Sequence, residues 1–329
     1  MIEIYGTLGP ACDAEEILAG MFREGMTGMR INLSHVMLKD CADSLHRIRR
    51  AAEKNGITPK ILIDMQGPEL RIGALGDPVT LAEGNVFFLG EKGIALDQRI
   101  LDAMRADQEV LLDDGRILAR VEAISDDGGC AQLKVLRGGT LSGRKSIALS
   151  GSTVEMPALT ESDLENIKDA VKSGVTGVMQ PFVRSAKDLQ TVRKALDENG
   201  GKDIKIYAKI ENLTGVENLE SFFDYAGEIV IARGDLGNAV PLWELPGVQK
   251  DIEKRCNDHS MPFMVVTQML SSMEHSKVPT RAEVSDIYNA VLDGASSVMV
   301  TGETAIGQYP VEVIRYLNRT ANAPAQKSR

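Results

Sequence analysis

The sequence predicts an α/β fold, a (β/α)8 TIM barrel with a small all-β lid domain inserted after the third strand. Three observations carry that prediction. Eight short apolar runs recur along the 329 residues, most of them followed by apolar residues at three- and four-residue spacing. Between about Ile72 and Met156 that helical spacing disappears and alternating runs and turns take over. No GxGxxG follows the first run, which weakens the structural rival, a doubly wound open sheet.

The elements follow in order. Strand Ile2–Gly6 precedes helical spacing over Asp13–Arg23, and strand Gly28–Asn32 precedes Lys39–Lys54. The third strand, Lys60–Asp64, leads instead into "VTLAEGNVFFLG", "EVLLDDGRILARVEAI" and "AQLKVLRGG", where Asp114-Gly115 and Asp127-Gly128 signal hairpins. Helical spacing returns at Glu161–Ser173. Strand Gly177–Pro181 then pairs with helix Ala186–Asn199, and strands Ile204–Ile210 and Glu228–Ala232 precede Val248–Cys256. Strand Phe263–Thr267 with Arg281–Asp293 and strand Ser297–Thr301 with Val311–Arg319 complete the set. The expected domains are 1–71 and 157–322 for the barrel, 72–156 for the lid, and a polar, frayed tail over 323–329. An insertion at that end of a strand overhangs the face where such barrels do chemistry, so a mobile lid is its natural role. A decorative insertion is the alternative.

Composition narrows the function classes. An apolar fraction of 43% and a charged fraction of 26% fit a soluble globular protein. The net charge of −10 argues against a general nucleic-acid binder. Cys12, Cys41, Cys130 and Cys256 form no CxxC pair, and the four histidines show no HxH or HExxH spacing, so neither disulfides nor a zinc site is expected. The chain opens directly on a strand pattern with no signal peptide, and no apolar run is long enough to cross a bilayer. The expected location is cytoplasmic, with neither membrane nor nucleic acid as a partner.

Polar and charged residues close most of the strands. In "AKIEN", Lys209 and Glu211 share a parity and point to the same side of their strand. Asp235 in "IARGDLG" follows the next strand. Two such carboxylates without histidine or cysteine suit Mg²⁺ or Mn²⁺; a structural Lys–Glu pair with an Asp helix cap is the alternative. In "GMRINLSH", Arg30 can fork onto phosphate, while Asn32 and Ser34 can coordinate a monovalent cation. In "ILIDMQGPELR", Asp64 ends the third strand as a carboxylate in need of a cation. Arg71 beyond the Gly67-Pro68 turn can hold phosphate or form a salt-bridged turn. Thr267, Thr301 and Glu303 stand at the seventh and eighth strand ends, where hydroxyls can orient a carboxylate or relay a proton.

At these residues the sequence resembles the pyruvate kinase family. "TLGPA", "GMRINLSH", "DMQGPELR", "AKIEN", "ARGDLG", "VTQMLSSM", "PTRAEVSDIYNAVLDGA" and "TGETAIGQYP" occur in the family's order from about Ile4 to Leu317. The resemblance implies phosphoryl transfer from phosphoenolpyruvate to ADP, giving pyruvate and ATP, with Mg²⁺ (or Mn²⁺) and K⁺ as cofactors. It implies that Lys209 steadies the phosphoryl group, Arg30 contacts substrate phosphate, and Glu211 and Asp235 ligate the divalent metal. Gly234, Asp235 and Thr267 would cradle the substrate carboxylate. Asn32, Ser34, Asp64 and the carbonyl of Met65 would hold potassium. Asn32, His35, Arg71 and Lys145 would meet nucleotide.

Several positions depart from the family pattern. Met65 and Gln66 replace the usual Thr and Lys of Asp-Thr-Lys-Gly-Pro-Glu, Val36 and Thr301 replace a glycine and a serine, and "KSIALSG" replaces the glycine-containing lid return. The sequence ends after the eighth helix, so the family's usual C-terminal domain and its sugar-phosphate site are not expected, and a barrel-mediated homodimer is. Two other functions compete: a metal-dependent lyase or phosphotransferase on a related oxo-acid, and a weakly catalytic regulatory or scaffold paralogue.

Overall fold

Eight parallel strands close into a barrel in sequence order: Glu3–Thr7, Gly28–Asn32, Lys60–Asp64, Gly177–Gln180, Lys205–Ile210, Glu228–Ala232, Phe263–Val266 and Ser297–Met299. The first strand pairs with both the second and the eighth, which shuts the ring. This computed structural model describes residues 2–327 other than His35, Asp114 and Thr153. Its residues fall into two compact units. One holds Met1–Gly67, Ala158–Arg233 and Glu244–Arg329; the other holds Pro68–Pro157 with Gly234–Trp243.

The period-2 geometry of the strands explains what the barrel encloses. Tyr5, Leu62, Met179, Tyr207, Val230 and Met264 are among the buried side chains of one interior cluster. The register brings Arg30 opposite Leu62, Asp64 opposite Met179 and Lys209 opposite Val230, so these charges belong to the inward-facing set. One step along the strands thus replaces apolar filling by charge: Leu62 by Asp64, Tyr207 by Lys209. Glycine is required where the tyrosine rings lie. A Cβ on Gly28 or Gly177 would sit 2.5 Å from a ring carbon of Tyr5 or Tyr207.

The outer helices bury the faces their spacing predicted, and two open on a capping box. Thr160 and Asp163 cap Glu161–Ala170, and Thr280 and Glu283 cap Arg281–Leu292. Short helices at Leu213–Glu217, Arg233–Ala239 and Gly302–Ala305 follow the fifth, sixth and eighth strands and were not predicted, being too short to show a period.

The inserted region has its own core and sheets. Ile147–Leu149, Glu109–Leu112, Ile117–Ile124, Cys130–Arg137 and Val86–Gly90 form a five-stranded antiparallel sheet in that order, and Val79–Leu81 pairs with Gly139–Leu141. Both expected hairpins form, and Gly115 and Gly128 supply the positive φ of their turns, +77° and +71°. Asp114 lies outside the described residues. The all-β expectation needs one amendment, a five-residue helix Gln98–Asp102 whose first turn is capped by Asp97. A second amendment concerns the tail: the last helix, Pro310–Lys327, continues through much of the stretch expected to fray. The four cysteines are free and buried. Among the described residues no helix is long and apolar enough to cross a membrane.

Candidate active site

The C-terminal ends of the second, third and fifth strands assemble a compact charge cluster. Asp64 is 2% exposed, and both Nε and Nη2 of Arg30 donate to its Oδ2, at 2.8 and 2.6 Å. Lys209 Nζ reaches both oxygens of the same carboxylate at 3.3 and 3.2 Å and lies 3.0 Å from Glu211 Oε1. The other Glu211 oxygen accepts the backbone N–H of Phe182 at 2.8 Å. Arg30 also donates to the Thr7 hydroxyl at 3.3 Å.

The cluster is electrically closed, two cations against two carboxylates, and nearly dry. Burial by itself would push the Asp64 carboxyl up, but the charges of Lys209 and Arg30 overcome it and hold the group below its ordinary range. Asp64 therefore has the cation its position demanded; in fact it has two. Carboxylates hold both Arg30 and Lys209, which fixes their charge at the mouth before any ligand arrives.

Oxygen-donor residues adjoin the cluster in strand register and in sequence. Asn32 is opposite Asp64 in the strand register, and its Oδ1 accepts the Ser34 N–H at 3.1 Å. The amide oxygen of Asn32, the Ser34 hydroxyl, the Asp64 carboxylate and the Met65 carbonyl are all hard donors, which fits an alkali cation and not a thiophilic metal. Glu211 supplies a buried carboxylate, and Asp235 lies in the first turn of the helix after the sixth strand. Among the described residues no group of three or more His, Cys, Asp or Glu could hold a metal ion by itself. Carboxylates so sparse suit an ion that completes its shell with water and substrate oxygens.

The remaining candidates differ in how they are placed. Thr267 lies just beyond the seventh strand with φ +80°, and Gln268 follows with φ +55°. A positive φ at a β-branched residue is strained backbone of the kind found at functional turns. Arg233 holds it there: its Nε and Nη2 donate to the Thr267 carbonyl at 3.2 and 2.8 Å, and its Nη1 to Asp286 at 2.8 Å. Thr301 follows the eighth strand, which ends at Met299. Glu303 is buried and accepts the backbone N–H of Leu270 at 3.1 Å and of Thr301 at 2.7 Å, so it ties two loops together.

In the second unit, Arg71 donates to Glu69 at 3.0 and 2.6 Å and to the Arg144 carbonyl at 2.8 Å, forming the salt-bridged turn. Lys145 Nζ is 2.7 Å from Asp113. Gly234 and Asp235 belong to this unit. His35 lies outside the described residues. Sequence reasoning missed Arg233 as a brace, the Phe182 amide, and Asp163, whose carboxylate accepts the backbone N–H of Gln66 and Gly67. "ARGDLG" contained the first signal; the other two depend on contacts between distant segments.

Residues 1–314 match the family model described as "Pyruvate kinase, barrel domain". A curated pyruvate kinase of Geobacillus stearothermophilus is 36% identical over 328 residues, covering 97% of this chain and 56% of the relative. One from Bacillus licheniformis is 35% identical over 329 residues with the same coverage, and one from Mycobacterium intracellulare is 36% identical over 327 residues, 96% of this chain and 68% of the relative. The chain therefore spans 56% of the length of the first two of these relatives.

Proposed function

The chain belongs to the pyruvate kinase family, and we propose that it transfers the phosphoryl group of phosphoenolpyruvate to ADP, giving pyruvate and ATP as a step of glycolysis. The observation that carries this reading is the cluster of Arg30, Asp64, Lys209 and Glu211 at the barrel mouth. Phosphoryl transfer asks the protein for positioning and neutralisation more than for covalent chemistry, and two fixed, nearly buried cations supply both.

In this reading Lys209 meets the oxygens of the transferring phosphoryl group as a fixed positive charge and not as a general base. Arg30 meets substrate phosphate from the other side. The P–O bond to the enol oxygen breaks as a β-phosphate oxygen of ADP bonds to phosphorus, and the enolate left behind takes a proton at its methylene carbon. Thr267 orients the substrate carboxylate together with the backbone of Gly234 and Asp235. Thr301 relays the proton, with Glu303 as the group that holds its loop. Glu211 and Asp235 would hold Mg²⁺ (or Mn²⁺), and Asn32, Ser34, Asp64 and the Met65 carbonyl would hold K⁺. Together these ions supply charge neutralisation for phosphate and enolate oxygens. Asn32, His35, Arg71 and Lys145 meet the nucleotide, and closure of the inserted domain excludes water that competes with ADP.

The closed charge balance of the cluster supports the metal requirement. A polyanionic substrate brought to two cations already matched by two carboxylates needs added positive charge, and the oxygen donors beside the cluster suit it. We place the protein in the cytoplasm and expect a homodimer through the barrel; light scattering that finds only monomer at working concentration removes the dimer. The test of function is a coupled assay of pyruvate formation. Activity is expected only with phosphoenolpyruvate, ADP, Mg²⁺ and K⁺ together. Metal-dependent turnover of phosphoenolpyruvate without phosphate transfer to ADP would overturn the reading in favour of a lyase.

A further inference from the structure

We infer that Asp163 is the positioning residue of the alkali-metal site, acting by aiming the carbonyl of Met65. The inference rests on the proposed potassium site and adds a residue to it. Asp163 is the third residue of the helix Glu161–Ala170, far from the strand tips in sequence, and is 0% exposed. A carboxylate so completely buried needs partners. It has four: its Oδ1 accepts the Gln66 N–H at 2.8 Å, and its Oδ2 accepts the Gly67 N–H, the Thr160 N–H and the Thr160 hydroxyl, each at 2.9 Å. The helix N-terminus adds its own favourable field. Among the described residues no salt bridge reaches it, so backbone donors and one hydroxyl carry the whole charge.

The consequence lies in peptide geometry. Across a planar trans peptide the N–H and C=O point in opposite directions. Anchoring the Gln66 N–H on Asp163 therefore points the Met65 carbonyl away from Asp163 and holds it there. The flanking planes are pinned as well: the Met65 N–H donates to the Met179 carbonyl at 3.1 Å, and the Gly67 N–H is on Asp163. Gly67 has φ +59°, and a Cβ there would lie 2.4 Å from Pro181, so only glycine allows the turn to pack this closely. Three successive amides are thus fixed around the one proposed donor whose side chain takes no part.

This arrangement also accounts for the side chain at Gln66. Its Oε1 lies 3.5 Å from the Thr160 hydroxyl, on the side of the helix N-terminus, so the backbone of this turn is set by Asp163 whichever side chain stands at 66. Potassium affinity then depends on a carboxylate that never touches the ion.

Asp163→Asn tests this. Its remaining oxygen can keep the Oδ2 partners, but an amide nitrogen cannot accept the Gln66 N–H. The K⁺ concentration for half-maximal activity is expected to rise about tenfold or more, with turnover at saturating K⁺ little changed. The upward shift in melting temperature given by K⁺ over Na⁺ at equal ionic strength is expected to shrink in parallel. Thr160→Ala is the control, lowering melting temperature in both salts without moving the K⁺ midpoint. A folded Asp163→Asn protein with wild-type K⁺ midpoint and K⁺ stabilisation overturns the inference. Should that variant not fold, amide hydrogen exchange of the wild-type protein decides. Exchange at Gln66 and Gly67 is expected to slow in K⁺ relative to Na⁺, and equal rates overturn the inference. A wild-type protein active on phosphoenolpyruvate and ADP but indifferent to K⁺ removes the potassium site while leaving phosphoryl transfer intact.

Discussion

The barrel carries a charge cluster at each end, and the same two strands help build both. The third strand runs from Lys60 to Asp64, and the fifth runs from Lys205 past Lys209. These pairs are four steps apart, about 13 Å along a strand. At the floor Lys60 pairs with Glu3, and Lys205 with Glu228 at 3.2 Å. Hydroxyls complete those carboxylates: Tyr5 donates to Glu3, and Ser296 and Ser297 donate to Glu228 at 2.8 and 2.6 Å. At the mouth one lysine spans two carboxylates, and one of these is forked by an arginine. Exposure separates the ends further: the floor lysines are 44% and 40% exposed, against 14% for Lys209 and 13% for Arg30. The floor is a seal in which each carboxylate also accepts from neutral hydroxyls. The mouth concentrates two nearly buried cations on shared carboxylates, and that is where an incoming anion can compete. An ion pair is therefore no mark of function in itself; its end of the barrel is.

The sharpest test makes the same substitution twice in one strand. Lys209→Met is expected to lower turnover about a thousandfold or more while the protein stays folded, since a charge placed for the transition state is lost. Lys205→Met, four residues earlier, is expected to leave turnover within about twofold and to cost about 1 kcal/mol, because the lysine is 40% exposed and buried Glu228 keeps the Ser296 and Ser297 hydroxyls. Circular dichroism and the coupled assay on both variants settle it. Equal effects at the two ends would break the comparison.

A smaller effect is expected from Arg233→Met. The brace on the Thr267 carbonyl disappears, and a backbone strained by roughly 1–3 kcal/mol can relax. The Michaelis constant for phosphoenolpyruvate is expected to rise about tenfold or more, through misplacement of the Thr267 hydroxyl. An unchanged constant would mean that Thr267 keeps its place unaided. At the floor, Glu228→Ala strands the buried hydroxyl of Ser297 and is expected to cost about 3 kcal/mol, seen as a lower urea midpoint with turnover preserved.

Both ends could be read to different depths from the sequence. Alternation and the strand–helix rhythm gave the barrel, and parity alone put Lys209 and Glu211 on one face; the structure joins them at 3.0 Å. Parity could not reveal that Arg30 and Lys209 converge on Asp64, since that contact exists only once the second, third and fifth strands share a closed ring. Glu303 illustrates the opposite limit. A carboxylate in a signature stretch invited a chemical role, yet both its oxygens accept backbone N–H groups, a pattern no local sequence rule encodes. The floor escaped notice because Glu3, Lys60 and Glu228 begin strands, where charged residues usually mean only solvent.

The smallest expected effect concerns the floor alone. Burial raises the pKa of both Tyr5 and Tyr207, and the neighbouring phenol and Glu3 raise that of Tyr5 further. For Tyr207 the hydrogen bond shared with Tyr5 works downward, while the charges of Glu228 and Glu3 work upward. In the unfolded chain a phenol titrates near about 10. Above that pH the unfolded chain loses protons that the folded protein keeps, so stability falls as pH rises; below it the contribution is fully present. Each phenol adds at most about 1.4 kcal/mol of loss per pH unit. Tyr5→Phe removes one such group together with its hydrogen bond to Glu3. It is expected to be less stable than wild type at pH 8 by about 1 kcal/mol, and to lose less on going to pH 11. Urea midpoints at the two pH values measure the difference. If the two proteins decline in parallel, the alkaline limit comes from elsewhere, and the floor seals by packing rather than by its buried phenols.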